Sequence, residues 1–161
     1  MGARLLIAVL YHDGILLDKL VTILEKQFGN IIDSMDYAFD VTDYYEQEMG
    51  IELRRRLLVF EKSVVTNELA DVKHEMMRLE DTFSVDSKRQ LNIDPGYIAK
   101  DGFVLASTKG KSYKKEIDSG IFEHRILGFE GDKVLVYFHT FPDFRKVEVQ
   151  QFLLSNRHLS G

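Results

Sequence analysis

Two short segments of the sequence bring together side chains that can bind ions or move protons. Asp43–Gly50 carries carboxylates beside two tyrosines, and Leu91–Tyr97 alternates apolar with polar residues before a Pro-Gly pair. Carboxylates, tyrosines and a lysine at loop edges suit a pocket for a polar or phosphorylated ligand or a hard cation. The candidate ligand-binding residues are Asp43, Tyr44, Glu48, Asn92, Asp94, Tyr97, Lys109 and Asp143. A second interpretation stays open, in which the same residues cap helices and brace turns.

The segment Leu91–Tyr97 predicts a strand end followed by a turn. Its apolar residues alternate with Asn92 and Asp94, which is the pattern of a strand. Pro95 and Gly96 then favour a turn, because proline fixes φ and glycine reaches positive φ. We therefore expect Asn92 and Asp94 to project together from a strand tip. There their side chains either bind a ligand or hydrogen-bond to the main chain of the loop, as in Asx turns.

The segment Asp43–Gly50 predicts one or two turns of helix. Asp43 with Glu46 three residues later resembles a capping box, and Gly50 suits the position just beyond a helix. Four-residue spacing places Tyr44 above Glu48 on one edge of such a helix.

Basic residues are concentrated in two places of an otherwise acidic chain. Lys109, Lys111, Lys114 and Lys115 fall within one loop, and Arg54–Arg56 form the second run. If the lysine loop adjoins the Asp94 turn, cations and carboxylates face one another across a cleft. The ligand would then be negatively charged, most simply a phosphate, with a divalent cation between it and the carboxylates as a candidate cofactor. The alternative is that both runs are solvated surface.

A nucleotide-binding P-loop does not fit this lysine loop. Gly110, Lys111 and Ser112 match the end of that motif, but its first glycine would stand where Leu105 is found. The serine-hydrolase elbow, the His-Glu-x-x-His metal motif and the EF-hand loop are also missing from the sequence.

Composition narrows the classes of protein further. The chain has 161 residues and 45% hydrophobic residues, which suits a single domain over residues 1–161. It contains no cysteine, so disulfides, thiol nucleophiles and thiolate metal sites are excluded. A net charge of −5 gives no signal for nucleic-acid binding. The first apolar run is too short to span a bilayer, so we expect a cytoplasmic protein without a membrane segment.

The positions of the elements predict an α+β fold. The continuous apolar run Leu5–Leu10 indicates a strand buried on both faces, and helical periodicities begin near Asp13 and Thr66. Ile121–Phe129 and Lys133–Phe138 indicate a hairpin. Two strand–helix–strand units of this kind predict a mainly antiparallel sheet with helices on one face. A ferredoxin-like core extended by the hairpin is the arrangement we consider.

Several ordered motifs resemble a family of known sequence. Asp43-Tyr44-Tyr45 with Glu48-Met49-Gly50, together with Asn92-Ile93-Asp94-Pro95-Gly96-Tyr97, resemble the paired signatures of the domain-of-unknown-function family 4416. Later segments match in the same order, and the resemblance covers nearly the whole chain. One departure follows Lys109, where the family usually has a histidine-containing segment and this chain has Tyr113 and two lysines. The resemblance implies no established activity, substrate or cofactor.

Two functions of different kinds therefore remain. In the first, the two signatures meet at one pocket that binds or processes a small anionic ligand. In the second, the protein is a non-catalytic interaction module in which the same residues are structural. The sequence does not decide whether the protein is an enzyme, and it does not give the oligomeric state. The two functions differ in whether Asp43, Asn92, Asp94 and Lys109 share one cavity or lie more than about 15 Å apart.

Overall fold

The first strand, β1, lies inside the sheet, as its uninterrupted apolar run Leu5–Leu10 predicts. In the computed structural model, which describes residues 3–118 and 120–157, β1 spans Ala3–Tyr11 and lies between two other strands. Leu5, Ile7 and Val9 pack toward one face, and Leu6 and Ala8 pack toward the other. The prediction of a strand buried on both faces is confirmed.

Strands and helices alternate in the first half of the chain, and several more strands follow before the last helices. The strands after β1 are β2 (Ile31–Ala38), β3 (Arg54–Val64), β4 (Leu91–Ala99), β5 (Gly102–Ser107), β6 (Lys115–Asp118), β7 (Ile121–Glu130) and β8 (Lys133–Val136). The helices are α1 (Gly14–Phe28), α2 (Glu46–Met49), α3 (Thr66–Phe83) and α4 (Val147–Ser155), with a 3₁₀ helix at Pro142–Arg145 before α4.

The described strands form one sheet in which neighbouring strands are antiparallel. Their spatial order is β2-β3-β1-β4-β5-β7-β6, and β8 also pairs with β7. The first four strands with α1 and α3 have the βαββαβ order of a ferredoxin-like fold. The predicted α+β class and the added β7–β8 hairpin are confirmed. Strand β3 lies between β1 and β2, so these two consecutive strands are not paired.

Helices α1 and α3 pack on the same face of the sheet, as predicted from their apolar periodicity. Asp13 caps α1, since its Oδ1 accepts a hydrogen bond of 2.9 Å from the amide of Ile15. Leu20 and Leu24 of α1 and Met76 of α3 belong to one buried cluster with β1. Helix α4 and the 3₁₀ helix cover the opposite face. No helix in the described ranges combines the length and the apolarity that a membrane span requires.

The predicted turn at Pro95-Gly96 is wrong, because β4 continues through both residues. Gly96 is needed here for close packing instead: a Cβ on it would lie 2.0 Å from the carbonyl oxygen of Val104 in β5. Asn92 and Asp94 therefore lie within the strand and not at its tip.

The predicted capping box at Asp43 is also wrong in detail. Helix α2 is a single turn in which the main-chain oxygen of Asp43, not its carboxylate, accepts from the amide of Glu46 at 3.0 Å. The helix ends as predicted at Gly50, whose φ of +98° suits glycine.

Candidate functional site

Strands β4 and β5 separate halfway along their length, and a cavity lies at this split. The two strands pair from Ala99 with Gly102 as far as Gly96 with Leu105. Beyond that pair, the edge of β4 that faces away from β1 has no strand partner among the described residues. The cavity at the split has a volume of about 380 Å³, which is within the usual range for small-ligand sites.

Proline is compatible with this open edge of β4. The amide of Ile93 donates a hydrogen bond of 2.7 Å to Oε2 of Glu80, so it points away from β1. Amides two residues apart on a strand point the same way, so the nitrogen of Pro95 also faces the open edge and no ladder bond is lost. The local sequence signal for a turn thus marks the place where the ladder opens.

The cavity is lined mainly by polar and aromatic side chains from six parts of the chain. The described lining residues are Tyr44, Tyr45, Lys73, Arg89, Asn92, Asp94, Leu105, Ala106, Ser107, Thr108, Lys109, Lys111, Tyr113, Lys114, His124 and Phe141. Tyr44, Asn92, Asp94 and Lys109 were predicted as ligand-binding candidates, and the structure brings these four together. Of the four residues whose shared cavity the pocket hypothesis required, Asn92, Asp94 and Lys109 line this cavity and Asp43 does not.

Asp94 forms an ion pair with Lys73 at the base of this cavity. Asp94 alternates with Ile93, which faces α1 and α3, so the Asp94 side chain leaves the sheet on the opposite face. Lys73 of α3 reaches it at the open edge, with Nζ 3.1 Å from Oδ1, and Asn92 Nδ2 donates to Oδ2 at 2.9 Å. Burial alone would raise the pKa of Asp94, but Lys73, Arg55 and the bond from Asn92 lower it below its usual value.

Glu48 holds Arg89 against the cavity without lining it. The Arg89 guanidinium donates to both oxygens of Glu48, at 2.8 and 2.9 Å, and its Nη1 donates to Oδ1 of Asn92 at 2.7 Å. These hydrogen bonds from Arg89 lower the pKa of Glu48. A continuous chain of hydrogen bonds therefore joins Glu48, Arg89, Asn92, Asp94 and Lys73, and it fixes the positions of both cations.

Glu80 lies behind this chain, on the buried side of α3. Burial raises its pKa to about 7, although the amide of Ile93 and the cations Lys73 and Arg89 oppose that shift. Arg89 Nη1 is 3.8 Å from Glu80 Oε2. Glu80 therefore changes its charge near neutral pH, next to the ion pairs of the cavity.

Three lysines of the β5–β6 loop, Lys109, Lys111 and Lys114, line the cavity. Lys114 Nζ donates to Oγ of Ser107 at 3.1 Å and to the carbonyl oxygen of Lys109 at 2.9 Å, which closes the loop on itself. Lys109 Nζ lies 5.7 Å from the ring centre of Tyr44. Burial, followed by repulsion from Lys109 and Lys111, lowers the pKa of Lys114. The three ammonium groups form no ion pair with a described carboxylate.

His124 forms part of the wall on the β7 side. Its Nε2 lies 3.1 Å from the main-chain oxygen of His139, and because a carbonyl can only accept, that nitrogen carries the hydrogen. Tyr113 stacks on the His139 ring with 4.2 Å between ring centres and lies 5.5 Å from the ring of His124. Burial, then Lys114 and His139, lower the pKa of His124 to about 4, so it is neutral at physiological pH.

The other predicted site residues lie elsewhere. Asp43 is exposed beside α2 and does not line the cavity. Tyr97 lines a second cavity, of about 580 Å³, where its hydroxyl donates to Oε1 of Glu123 at 2.8 Å. Asp143 is buried in a separate cluster, where it accepts from Tyr37 and Arg55.

The Arg54–Arg56 run does not form an anion site. Arg54 and Arg56 both donate to the carboxylate of Asp36, at 2.5 and 2.8 Å, and Tyr11 donates to the same carboxylate. Arg55 points to the other face of β3, because side chains alternate along a strand, and it is buried against Asp143. Neither a solvated run nor a joint anion site describes these three residues.

Lys73, Arg89 and His124 were not among the predicted site residues. A signal for Lys73 exists in the sequence: it follows Leu69 by four residues and precedes Met76 by three, so it falls on the apolar stripe of α3. Glu80 occupies the same stripe four residues after Met76. A charged residue on a buried stripe needs a partner, and that requirement points to a buried polar site. No comparable signal identifies His124.

A metal site is not indicated by the described side chains. They contain no group of three or more histidine, aspartate or glutamate residues placed to hold a metal ion. Both oxygens of Asp94 already accept hydrogen bonds from nitrogen donors. The binding of an anion is therefore argued below from the cations alone.

Comparison with known proteins gives a family but no activity. A family model described as "Domain of unknown function (DUF4416)" matches residues 1–159. The search of curated proteins and the search of solved structures gave no match.

Proposed function

The chain belongs to the DUF4416 family, and we propose that it binds a small phosphate-bearing anion in the cavity at the β4–β5 split. One observation carries the proposal. Five cationic side chains line the cavity (Lys73, Arg89, Lys109, Lys111 and Lys114), whereas Asp94 is the one carboxylate among the described lining residues. This excess of positive charge occurs in a protein whose net charge is −5.

The partners of these cations show which of them are available to a ligand. Asp94 already neutralises Lys73, and Glu48 already neutralises Arg89. Lys109, Lys111 and Lys114 are left without carboxylate partners above the opening. Burial, followed by repulsion from Lys109 and Lys111, lowers the pKa of Lys114, and a bound anion would offset that repulsion. Phosphate is the anion best suited to such a site, since it carries high charge on several acceptor oxygens.

The remaining lining groups suit a ligand that is more than a bare ion. The hydroxyls of Ser107, Thr108 and Tyr44 offer neutral hydrogen bonds, and Tyr113 and Phe141 provide aromatic surface. A cavity of about 380 Å³ is larger than a phosphate group requires. We infer that a small organic phosphate occupies it, with its phosphate toward the lysine loop.

A thermal-shift measurement with matched charge variants tests the proposal. The site variant is Lys109→Gln with Lys111→Gln, because both side chains are exposed and neither makes a hydrogen bond through its ammonium group within the described structure. The control is Lys100→Gln with Lys133→Gln, which removes the same charge from exposed positions outside the cavity. The probes are inorganic phosphate, pyrophosphate and glycerol phosphate at constant ionic strength, with and without magnesium.

The wild-type protein and the control should melt about 5–10 °C higher when a probe is present at roughly 100 times its Kd. The site variant should lose most of that shift. Equal losses in the site and control variants would mean that only net charge matters. No shift of the wild-type protein with any probe would remove the basis for the proposal and favour the interaction-module hypothesis.

A further inference from the structure

His124, which lines the cavity, has a hydrogen-bond acceptor that a site for fully ionised anions would not need. His124 is only 1% exposed, and its Nε2 hydrogen is directed to the carbonyl of His139. The neutral ring therefore has a lone pair, and no hydrogen, on Nδ1. That nitrogen is buried and has no hydrogen-bond partner among the described residues. Buried polar atoms are normally paired, so this atom lacks the proton donor that a ligand could supply.

The surroundings of His124 keep it in this neutral form. Lys114 of the β5–β6 loop and His139 of the segment after β8 both disfavour a positive charge on the ring, and burial does so more strongly. The rings of Tyr113 and Phe141 lie 5.5 and 4.8 Å from it and are uncharged. The groups that shift its pKa include no carboxylate that would stabilise a second proton. His124 is therefore an acceptor throughout the neutral range.

We propose that the cavity selects an oxyanion that still carries a proton, such as the monoanion of a phosphate monoester, and that the P–OH group donates to Nδ1 of His124. This inference rests on the proposed function, since it names the form of the anion that binds there. The unprotonated oxygens face the lysine loop, which supplies only donors. A phosphate monoester loses its second proton near pH 6, so both forms are present around neutrality. Sulfate is fully ionised and would direct a lone pair at the lone pair of Nδ1.

The selection has a defined dependence on pH. The fraction of a phosphate monoester that keeps its P–OH rises as pH falls from 8 to 6, so the affinity for the monoester should rise with it. Sulfate has no such change and reports the effect of pH on the protein's own charges, including that of Lys114 beside the ring. The ratio of the two affinities therefore isolates the proton on the ligand.

The test compares glycerol phosphate, a monoester whose dianion has no P–OH, with sulfate by calorimetric titration at pH 6.5 and pH 8, at constant ionic strength. The variant is His124→Phe, which keeps a ring but removes the acceptor. His139→Phe is the control, because His139 also has a buried Nδ1 without a described partner but lines the second cavity. The main-chain oxygen that accepts from His124 is retained in that control.

The wild-type protein and His139→Phe should prefer glycerol phosphate over sulfate by about 10-fold or more at pH 6.5, as expected for one added hydrogen bond in a buried site. His124→Phe should bind both anions within about 3-fold of one another. Equal affinities in the wild-type protein, or a preference that survives in His124→Phe, would overturn the inference and leave the anion site intact. Failure of both anions to bind wild-type protein would instead refute the proposed function together with the inference.

A measurement on the unaltered protein covers the case in which His124→Phe does not fold. The ¹⁵N resonance of His124 Nδ1 should move when glycerol phosphate is added, because a bare ring nitrogen acquires a proton donor. It should not move when sulfate is added. An unchanged Nδ1 resonance at saturating glycerol phosphate would contradict the inference directly.

Discussion

Two buried cation–carboxylate pairs lie on the same face of the sheet and differ in what surrounds them. Arg55 and Asp143 are enclosed, with side chains 4% and 1% exposed, and the rings of Phe39 and Phe144 flank the guanidinium. Lys73 and Asp94, 9% and 20% exposed, border the cavity at the β4–β5 split. The chemistry of the two pairs is similar, and access to a cavity is what distinguishes a candidate site from a structural pair.

The enclosed pair also includes a tyrosine. The Tyr37 hydroxyl donates to Oδ2 of Asp143 at 2.6 Å, and burial, followed by the Asp143 charge, raises the pKa of Tyr37. Hydrogen-bonding capacity is left over, since Nη1 of Arg55 and Oδ1 of Asp143 have no partner within the described residues. An enclosed pair of this kind constrains the fold but offers no path to a ligand.

The largest effect should come from breaking the enclosed pair. Asp143→Asn leaves Arg55 charged and buried without its counter-ion, so the free energy of unfolding should fall by about 3–5 kcal/mol in urea titration. Replacing both partners, as in Arg55→Met with Asp143→Leu, should recover most of that loss because no charge is then left buried. A single variant as stable as wild-type protein would show that water reaches this pair.

Glu80 gives the second-largest effect and a test by pH. Its folded-state pKa of about 7 lies above the ordinary value of 4.5, so the native protein holds this proton more tightly than the unfolded chain. Its contribution to stability is therefore complete below about pH 4.5 and is lost as pH rises through 7. Relative to Glu80→Gln, wild-type protein should lose about 2–3 kcal/mol of unfolding free energy across that window.

The glutamine variant is the control because it keeps the shape of the Glu80 side chain and an acceptor for the amide of Ile93. Denaturant titrations of both proteins at intervals from pH 4.5 to 8 give the difference directly. A constant difference over the whole range would mean that Glu80 is ionised in the native state at all these pH values.

The pair beside the cavity should be less sensitive than the enclosed pair. Asp94→Asn leaves Lys73 without a counter-ion, but Lys73 can be hydrated from the cavity, so we expect a loss of about 1–2 kcal/mol. The pKa of Asp94 is lowered in the folded protein, so its contribution is present above about pH 4 and disappears as pH falls below that value. The destabilisation should therefore vanish on acidification, which is opposite in sign to the behaviour of Glu80.

The same variant also reports on the anion site. Removing a negative charge from the cavity should strengthen sulfate binding, because Lys73 is then free to attract the anion. Loss of sulfate binding in Asp94→Asn would show that the carboxylate organises the site more than it repels the ligand.

Among the ion-pair carboxylates, Asp36 should have the smallest effect on the free energy of unfolding. It is half-buried and pairs with Arg54 and Arg56, whose side chains are 46% and 31% exposed, so water screens these charges more than those of Lys73 or Arg55. Asp36→Asn should change the unfolding free energy by less than about 1 kcal/mol. A loss as large as that of Asp143→Asn would break the argument that burial sets the order of these effects.

Local sequence patterns were sufficient for most elements of the fold. Some elements depend on interactions within a few residues, so the sequence is enough to predict them. Examples are the strand at Leu5–Leu10, the Asp13 cap and the glycine after α2. Pro95-Gly96 misled the prediction because its local preference for a turn was overridden by two tertiary facts. One is the open edge of β4 at Pro95, and the other is the contact of Gly96 with Val104.

The order of amino acids alone specifies which side chains are available: carboxylates and amides in Leu91–Tyr97, a loop rich in lysine, and two amphipathic helices. It also determined that Lys73 and Glu80 fall on the buried stripe of α3, because that stripe follows from helical spacing. Asp94 and Asp143 could not be separated at that level, since both are acidic residues close to a proline. Long-range packing is what encloses Asp143 with Arg55 and its flanking rings, leaves a cavity beside Asp94 where the strands separate, and brings His124 to the lysine loop at that cavity. The reason is that contacts between residues distant in the chain depend on strand pairing and packing over the whole sheet, which no short segment encodes.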